Sequence, residues 1–158
     1  MGPPTSVPEV VFRDSHGELI VRRPASQLLA VTAKGVASEP LVHRYFREFH
    51  AFVGSATRKV DVFLDWHGLT SYDPAARRTY TEWADERREL NRRVCRGVHV
   101  LVGSTLVYLA LEASGGLSKS KYRHAYRDPK SFEHELQRCL RSPASELVER
   151  TDGSGSHA

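Results

Sequence analysis

The chain has 158 residues, the size of one domain, with enough material for a buried core. Hydrophobic residues make up 40%, and no apolar run approaches the ~20 residues that cross a bilayer, which argues against a disordered polymer and a helical membrane protein. The net charge of +4 is modest, and most of the 23 basic residues are arginine.

Residues 1–15, rich in Pro, Ser and Gly, read as a flexible arm. Met1 to Pro8 lacks the basic-then-apolar order of a signal peptide, so the expected location is cytoplasmic. Glu18 to Arg23 and Gln27 to Ala33 are short apolar runs separated by Pro24-Ala25-Ser26, which predicts an opening hairpin whose second strand ends at Lys34-Gly35. Ser38 is a good N-cap, and Pro40 fits the first turn of a helix. Behind it Leu41, Val42, Tyr45, Phe46, Phe49, Phe52 and Val53 recur at spacings of one, three and four, giving a strongly apolar helix face that Gly54 stops.

Val60 to Trp66 predicts a strand with β-branched and aromatic content, and His67 to Tyr72 a short turn. Asp73-Pro74 then caps a helix over 74–90, with Ala76, Tyr80, Trp83, Ala84 and Leu90 on one side. Gly97 to Val102 predicts a further strand, and Gly103-Ser104 a third helix closed by Ser114-Gly115-Gly116. Tyr122 to Tyr126 fits a short last strand, and Asp128-Pro129 repeats the cap-plus-proline device before a helix holding Phe132, Leu136 and Leu140. Residues 143–158 read as a disordered tail. The order predicts one α/β domain over 16–142, with a mixed four- to five-stranded sheet, an antiparallel edge and helices mainly on one face.

Cys95 and Cys139 have no CxxC spacing and are expected as buried free thiols. His43 and His50 could share a helix face, but two ligands do not make a site, so neither a metal nor a cofactor is expected. The cluster Arg87, Arg88, Arg92, Arg93 and Arg96 could contact phosphate. Glu82, Asp85, Glu86 and Glu89 are interleaved with it, however, and fit i,i+3 and i,i+4 pairing on a solvated helix face. Aromatic–basic alternation is absent, and no nucleic-acid partner is expected.

Val62-Phe-Leu-Asp-Trp-His-Gly-Leu-Thr-Ser-Tyr-Asp-Pro-Ala-Ala-Arg77 is similar, without a gap, to the strand–loop–helix signature of STAS domains, the anti-sigma-factor-antagonist fold. Leu64, Leu69 and Asp73 fall on the strand, loop and N-cap positions of that pattern. Val98 to Ser104 and Ala113 to Leu117 look like the family's next strand and helix end. The likeness spans about residues 18–140 and is nearest the SpoIIAA-like branch. It implies a non-enzymatic, bacterial signalling or adaptor protein. Its partner would be a regulatory kinase, an anti-sigma factor or a transporter-like component, and the chain itself a monomer or weak homodimer.

One departure matters. The phospho-regulated members carry a Ser or Thr one or two residues after the Asp, where this chain has Pro74 and Ala75, neither with a hydroxyl. Thr70 and Ser71 lie just upstream, Ser71 being the possible substitute acceptor; as turn residues they would instead bond their own backbone.

An enzyme could be assembled from Asp65, His67, Ser71, Tyr72 and Asp73 at the carboxyl end of a strand, but no catalytic motif surrounds them. The binding reading uses the same surface, with Trp66, His67, Thr70, Ser71, Tyr72, Asp73, Arg77 and Arg78 meeting a protein partner. A third reading makes the face of Tyr45, Phe46, Phe49 and Phe52 the lining of a lipid or small apolar ligand pocket rather than plain core.

Overall fold

The computed structural model describes residues 9–104 and 122–148. Within them lies one six-stranded sheet in the order β1-β2-β3-β4-β5-β6. The strands are β1 (Glu9–Arg13), β2 (Gly17–Ala25), β3 (Leu28–Ala37), β4 (Val60–Tyr72), β5 (Cys95–Val102) and β6 (Arg123–Tyr126). The first three pair antiparallel, and β3 to β6 run parallel. The helices are α1 (Glu39–Gly54), α2 (Pro74–Glu86), α3 (Arg88–Val94) and α4 (Pro129–Arg141).

The mixed sheet with an antiparallel edge is as expected, with more strands than the four or five predicted. The additional strand is β1, inside the segment read as an arm: Val10 pairs with Val21 and Phe12 with Leu19. Its neighbours Met1 to Pro8 hide this strand in the composition. The hairpin turns at Ser26-Gln27, one residue beyond the expected Pro24-Ala25-Ser26, because a register shift between Arg22 and Ala25 lets β2 accommodate the proline. β3 does not end at Lys34-Gly35: Gly35 adopts φ +80°, open to glycine, and the strand continues to Ala37. The expected tail from residue 143 begins docked. Ala144 is buried, its carbonyl accepts from Gln27 Nε2 at 2.6 Å, and Lys59 and Val148 donate backbone bonds to Glu146 and Thr57.

Parallel strands covered on both faces need apolar side chains pointing both ways, and β4 supplies them. Val60, Val62, Leu64 and Trp66 join a large core with α1, while Phe63 joins a smaller one with Phe132 and Cys139 of α4. Leu90 and Val94, from the segment after α2, join the larger core, as do Tyr80 and Trp83. The expected helix over 74–90 breaks at Arg87, which leaves helical geometry at φ −100° and ψ 3° and caps α2 by donating to Trp83 and Asp85 carbonyls. The expected third helix after Ser104 lies outside the described residues.

The caps read at Ser38, Asp73 and Asp128 are in place, and the helix expected after Ser104 lies outside the described residues. Leu41 N donates to Ser38 Oγ at 3.4 Å, Ala75 N to Asp73, and Lys130 N and Ser131 N to Asp128. Ser38 also donates its hydroxyl proton to Asp14, tying the β1–β2 turn to the start of α1. That bond, with the backbone N–H of His16 and Gly17, lowers the Asp14 pKa. Ser38→Ala is expected to lower stability by about 1–2 kcal/mol in denaturant titrations. A folded-state carboxyl pKa below its unfolded value adds stability above the unfolded pKa that is lost as pH falls through the folded one. The variant should therefore also show a shallower loss of stability below about pH 4, the carboxylate range.

Candidate functional site

The segment His67 to Tyr72, expected as a turn, is strand. Against β3, two register shifts add residues to β4: Thr32 faces Asp65 but Lys34 faces Gly68, and Gly35 faces Leu69 but Val36 faces Ser71. A bulge re-aims the side chains that follow it. Strict alternation after Leu64 and Trp66 would turn position 69 away from the larger core. Spaced by the bulges, Leu69 and Tyr72 pack against it as Trp66 does. Close approach elsewhere holds this geometry, since a Cβ on Gly103 would lie 2.6 Å from the His67 carbonyl oxygen.

Beside these side chains is a cavity of about 340 Å³. Leu19, Val31, Ala33, Leu41 and Tyr45 form its floor and α1 wall, and Ala76 and Tyr80 its α2 wall. Trp66, Leu69 and Tyr72 come from β4, and Lys34, Thr70, Ser71 and Arg77 add polar groups. Of the sequence-predicted set, Trp66, Thr70, Ser71, Tyr72 and Arg77 therefore converge on one hollow. His67, Asp73 and Arg78 are exposed and are not among its lining residues.

The roles differ within the set. Trp66 is buried, with its ring edge-on to Tyr80 at 5.3 Å, so it shapes the wall from inside the core. Tyr72 is half-buried, and burial, then the nearby Tyr80, pushes its phenol up to about 12, so it stays neutral. Thr70 Oγ1 donates to the Gly35 carbonyl at 3.2 Å, while Ser71 is exposed. Asp73 is held as the α2 N-cap, and Asp65 accepts from His67 N at 3.0 Å. Both carboxylates of the conceivable enzyme thus serve backbone N–H groups. The apolar stripe of α1 is mainly core: Phe46 stacks on Trp83 at 4.1 Å, and Phe49 and Phe52 are buried, with Tyr45 alone of the four lining the hollow.

Three members of the arginine cluster show two kinds of pairing. Arg88 pairs with Asp85 and Arg92 with Glu89, each at 2.7 Å and i,i+3, as a solvated helix face should. Arg96 instead reaches the opposite face of the sheet and grips buried Asp61, with Nη2–Oδ2 at 2.6 Å and Nε–Oδ1 at 3.2 Å. Beyond that pair, Asp61, His99 and Cys139 bring a carboxylate oxygen, a ring nitrogen and a sulfur within 4.8 Å of one another. The sequence reading missed this cluster because β4, β5 and α4 contribute one residue each, at no motif spacing. The one local signal was Asp61, a carboxylate at an inward position of an apolar strand.

No protein-family model matches the sequence. No curated protein matches it. Solved structures do match in fold. The anti-sigma factor antagonist SpoIIAA in its unphosphorylated form aligns at a TM-score of 0.53 with 12% identity, covering 75% of this chain and 96% of that one. An anti-sigma factor antagonist from Mycobacterium paratuberculosis aligns at 0.50 with 9% identity, over 87% and 99%. An uncharacterised protein from Shewanella loihica with a SpoIIAA-like fold aligns at 0.49 with 13% identity, over 86% and 98%. The chain has the SpoIIAA-like, STAS-type fold.

Arg96→Ala would leave the Asp61 carboxylate buried without its cation, and should destabilise the fold by roughly 3 kcal/mol. Arg88→Ala removes an exposed pair and should change stability by no more than about 0.5 kcal/mol. Parallel urea titrations of the two variants check the contrast; equal effects would place Arg96 on the solvated face with the others.

Proposed function

We propose that this chain is a non-enzymatic regulatory or adaptor protein that binds a protein partner through the β4–α2 surface around residues 66–78. The observation that carries this reading is the apolar hollow at the centre of that surface, edged by hydroxyls and Arg77. Protein interfaces bind most tightly where an apolar or aromatic anchor enters a pocket inside a polar rim. A partner side chain seated among Leu69, Tyr72 and Ala76, with a carboxylate on Arg77, fits that chemistry. His67 and Arg78, exposed beside the hollow, extend the rim.

The same two antagonist structures support a regulatory role by likeness of fold, with a cytoplasmic kinase, anti-sigma factor or transporter-like component as the partner class. Pro74 and Ala75 have no hydroxyl, so on this reading the interaction is not governed by phosphate at those two positions. The chain acts as a monomer or weak homodimer, and nucleic acid is not its target.

The test starts with affinity capture from the native lysate on the wild-type chain, followed by titration of the purified partner against variants. Ala37 also lines the hollow, and Ala37→Phe should fill it and weaken binding at least tenfold with the fold retained by circular dichroism. Tyr72→Ala should cost ~1–3 kcal/mol of binding. Arg77→Ala should slow association and flatten its salt dependence if the partner is acidic. Binding untouched by these three changes and abolished at Arg92 and Arg93 would overturn the reading and move the interface to α3. An apolar small molecule co-purifying with wild type, and lost from Ala37→Phe while partner binding persists, would overturn it in favour of a ligand pocket.

A further inference from the structure

The smaller core holds a polar cluster that partner binding does not use. Asp61, His99 and Cys139 are 2%, 3% and 3% exposed, and each offers a donor atom within 4.8 Å of the other two. We propose that these three side chains form a buried binding site for a divalent transition-metal ion of the zinc type.

Donor chemistry sets the class of ion. One imidazole, one thiolate and one carboxylate suit zinc and its borderline-soft neighbours, whereas calcium and magnesium call for oxygen ligands throughout. Zinc bonds of about 2.0–2.3 Å in a tetrahedron place ligand atoms roughly 3.3–3.8 Å apart, so closing on the ion requires only small side-chain adjustments. Three protein donors leave the fourth position of a tetrahedral ion to a water molecule.

The surroundings are arranged as a ligand's support should be. Metal-bound histidines are oriented through their other ring nitrogen. His99 Nδ1 lies 2.9 Å from Tyr126 Oη, and the ring stacks on Phe63 at 4.3 Å and on His124 at 5.0 Å. The space before Nε2 is kept clear by glycine, since a Cβ at Gly97 would fall 2.6 Å from Nε2 and 3.4 Å from Asp61 Oδ1. Arg96 takes one lone pair from each Asp61 oxygen and leaves others for a metal. Binding would replace the Cys139 S–H proton, which leaves to solvent, and would form a metal–sulfur bond in its place.

Cobalt(II) titration of the full chain tests this, because a thiolate ligand gives a sulfur-to-cobalt charge-transfer band and a tetrahedral site gives intense visible bands. The expected result is one equivalent bound with both signatures, and their loss on adding zinc(II). Cys139→Ser should abolish the charge-transfer band, His99→Gln should weaken binding at least tenfold, and Cys95→Ala should change neither. Should a ligand variant fail to fold, Tyr126→Phe carries the test, with an expected loss of about 10–100-fold in affinity from the unsupported imidazole. Overturning results are no binding, binding without the sulfur band, or binding indifferent to Cys139→Ser and Tyr126→Phe. Binding without the sulfur band would assign the ion to exposed histidines such as His67 and His134, and a sulfur band indifferent to Cys139→Ser would assign it to Cys95.

Discussion

Both hydrophobic cores depend on β4 being buried on its two faces. One face sends Val60, Val62, Leu64 and Trp66 under α1, and the other sends Phe63 toward α4. Each such side chain contributes roughly 1.5–3 kcal/mol on leaving water, so a single slip of register would exchange two sets of contacts at once. The parallel pairing of β3, β4 and β5 follows from this, since helices must cover both faces. So does the location of the hollow, where β4 runs on beyond its pairing with β5, which ends at Trp66 and Val102, and among the described residues keeps only β3 as a neighbour.

The two faces beyond the cores have opposite chemistry. Toward α1 and α2 the surplus space is apolar and edged by hydroxyls and Arg77, which suits a side chain from outside. Toward α4 the buried polar groups answer one another: Arg96 holds Asp61 and Tyr126 meets His99, while Arg138 pairs with Glu135 on the exposed side of the helix. The docking and the metal binding proposed above lie on opposite faces and are separable, joined only through the strands that carry them.

Much of this was legible from the residues. The cap-plus-proline pairs at Asp73-Pro74 and Asp128-Pro129 located two helix starts, and the three–four spacing of Leu41, Tyr45, Phe49 and Phe52 located the buried face of α1. What escaped was decided by distant partners. Glu9 to Arg13 holds Val10, Val11 and Phe12, but it follows the Pro- and Ser-rich start of the chain, and its pairing along the edge of β2 makes it a strand. His67 to Tyr72 contains glycine, threonine and serine and looks like a turn; pairing with Lys34 to Ala37 overrides that local preference. At the candidate site, the local motif led to Trp66, Thr70, Ser71, Tyr72 and Arg77, while the contributions of Leu19, Val31 and Leu41 depend on sheet order. The Asp61–His99–Cys139 cluster leaves no local trace beyond Asp61 itself, because it is a product of strand register and of α4 docking.

Extension of β4 through Tyr72 is the feature on which the shape of the hollow rests, and backbone amide hydrogen exchange read residue by residue tests it most directly. If the strand continues, amides within Leu69 to Tyr72 exchange slowly, less protected than Val62 to Leu64 between two neighbours but well above exposed loop rates. Uniformly fast exchange from His67 to Tyr72, beside a protected Val60 to Trp66, would make the segment a turn and contradict the account.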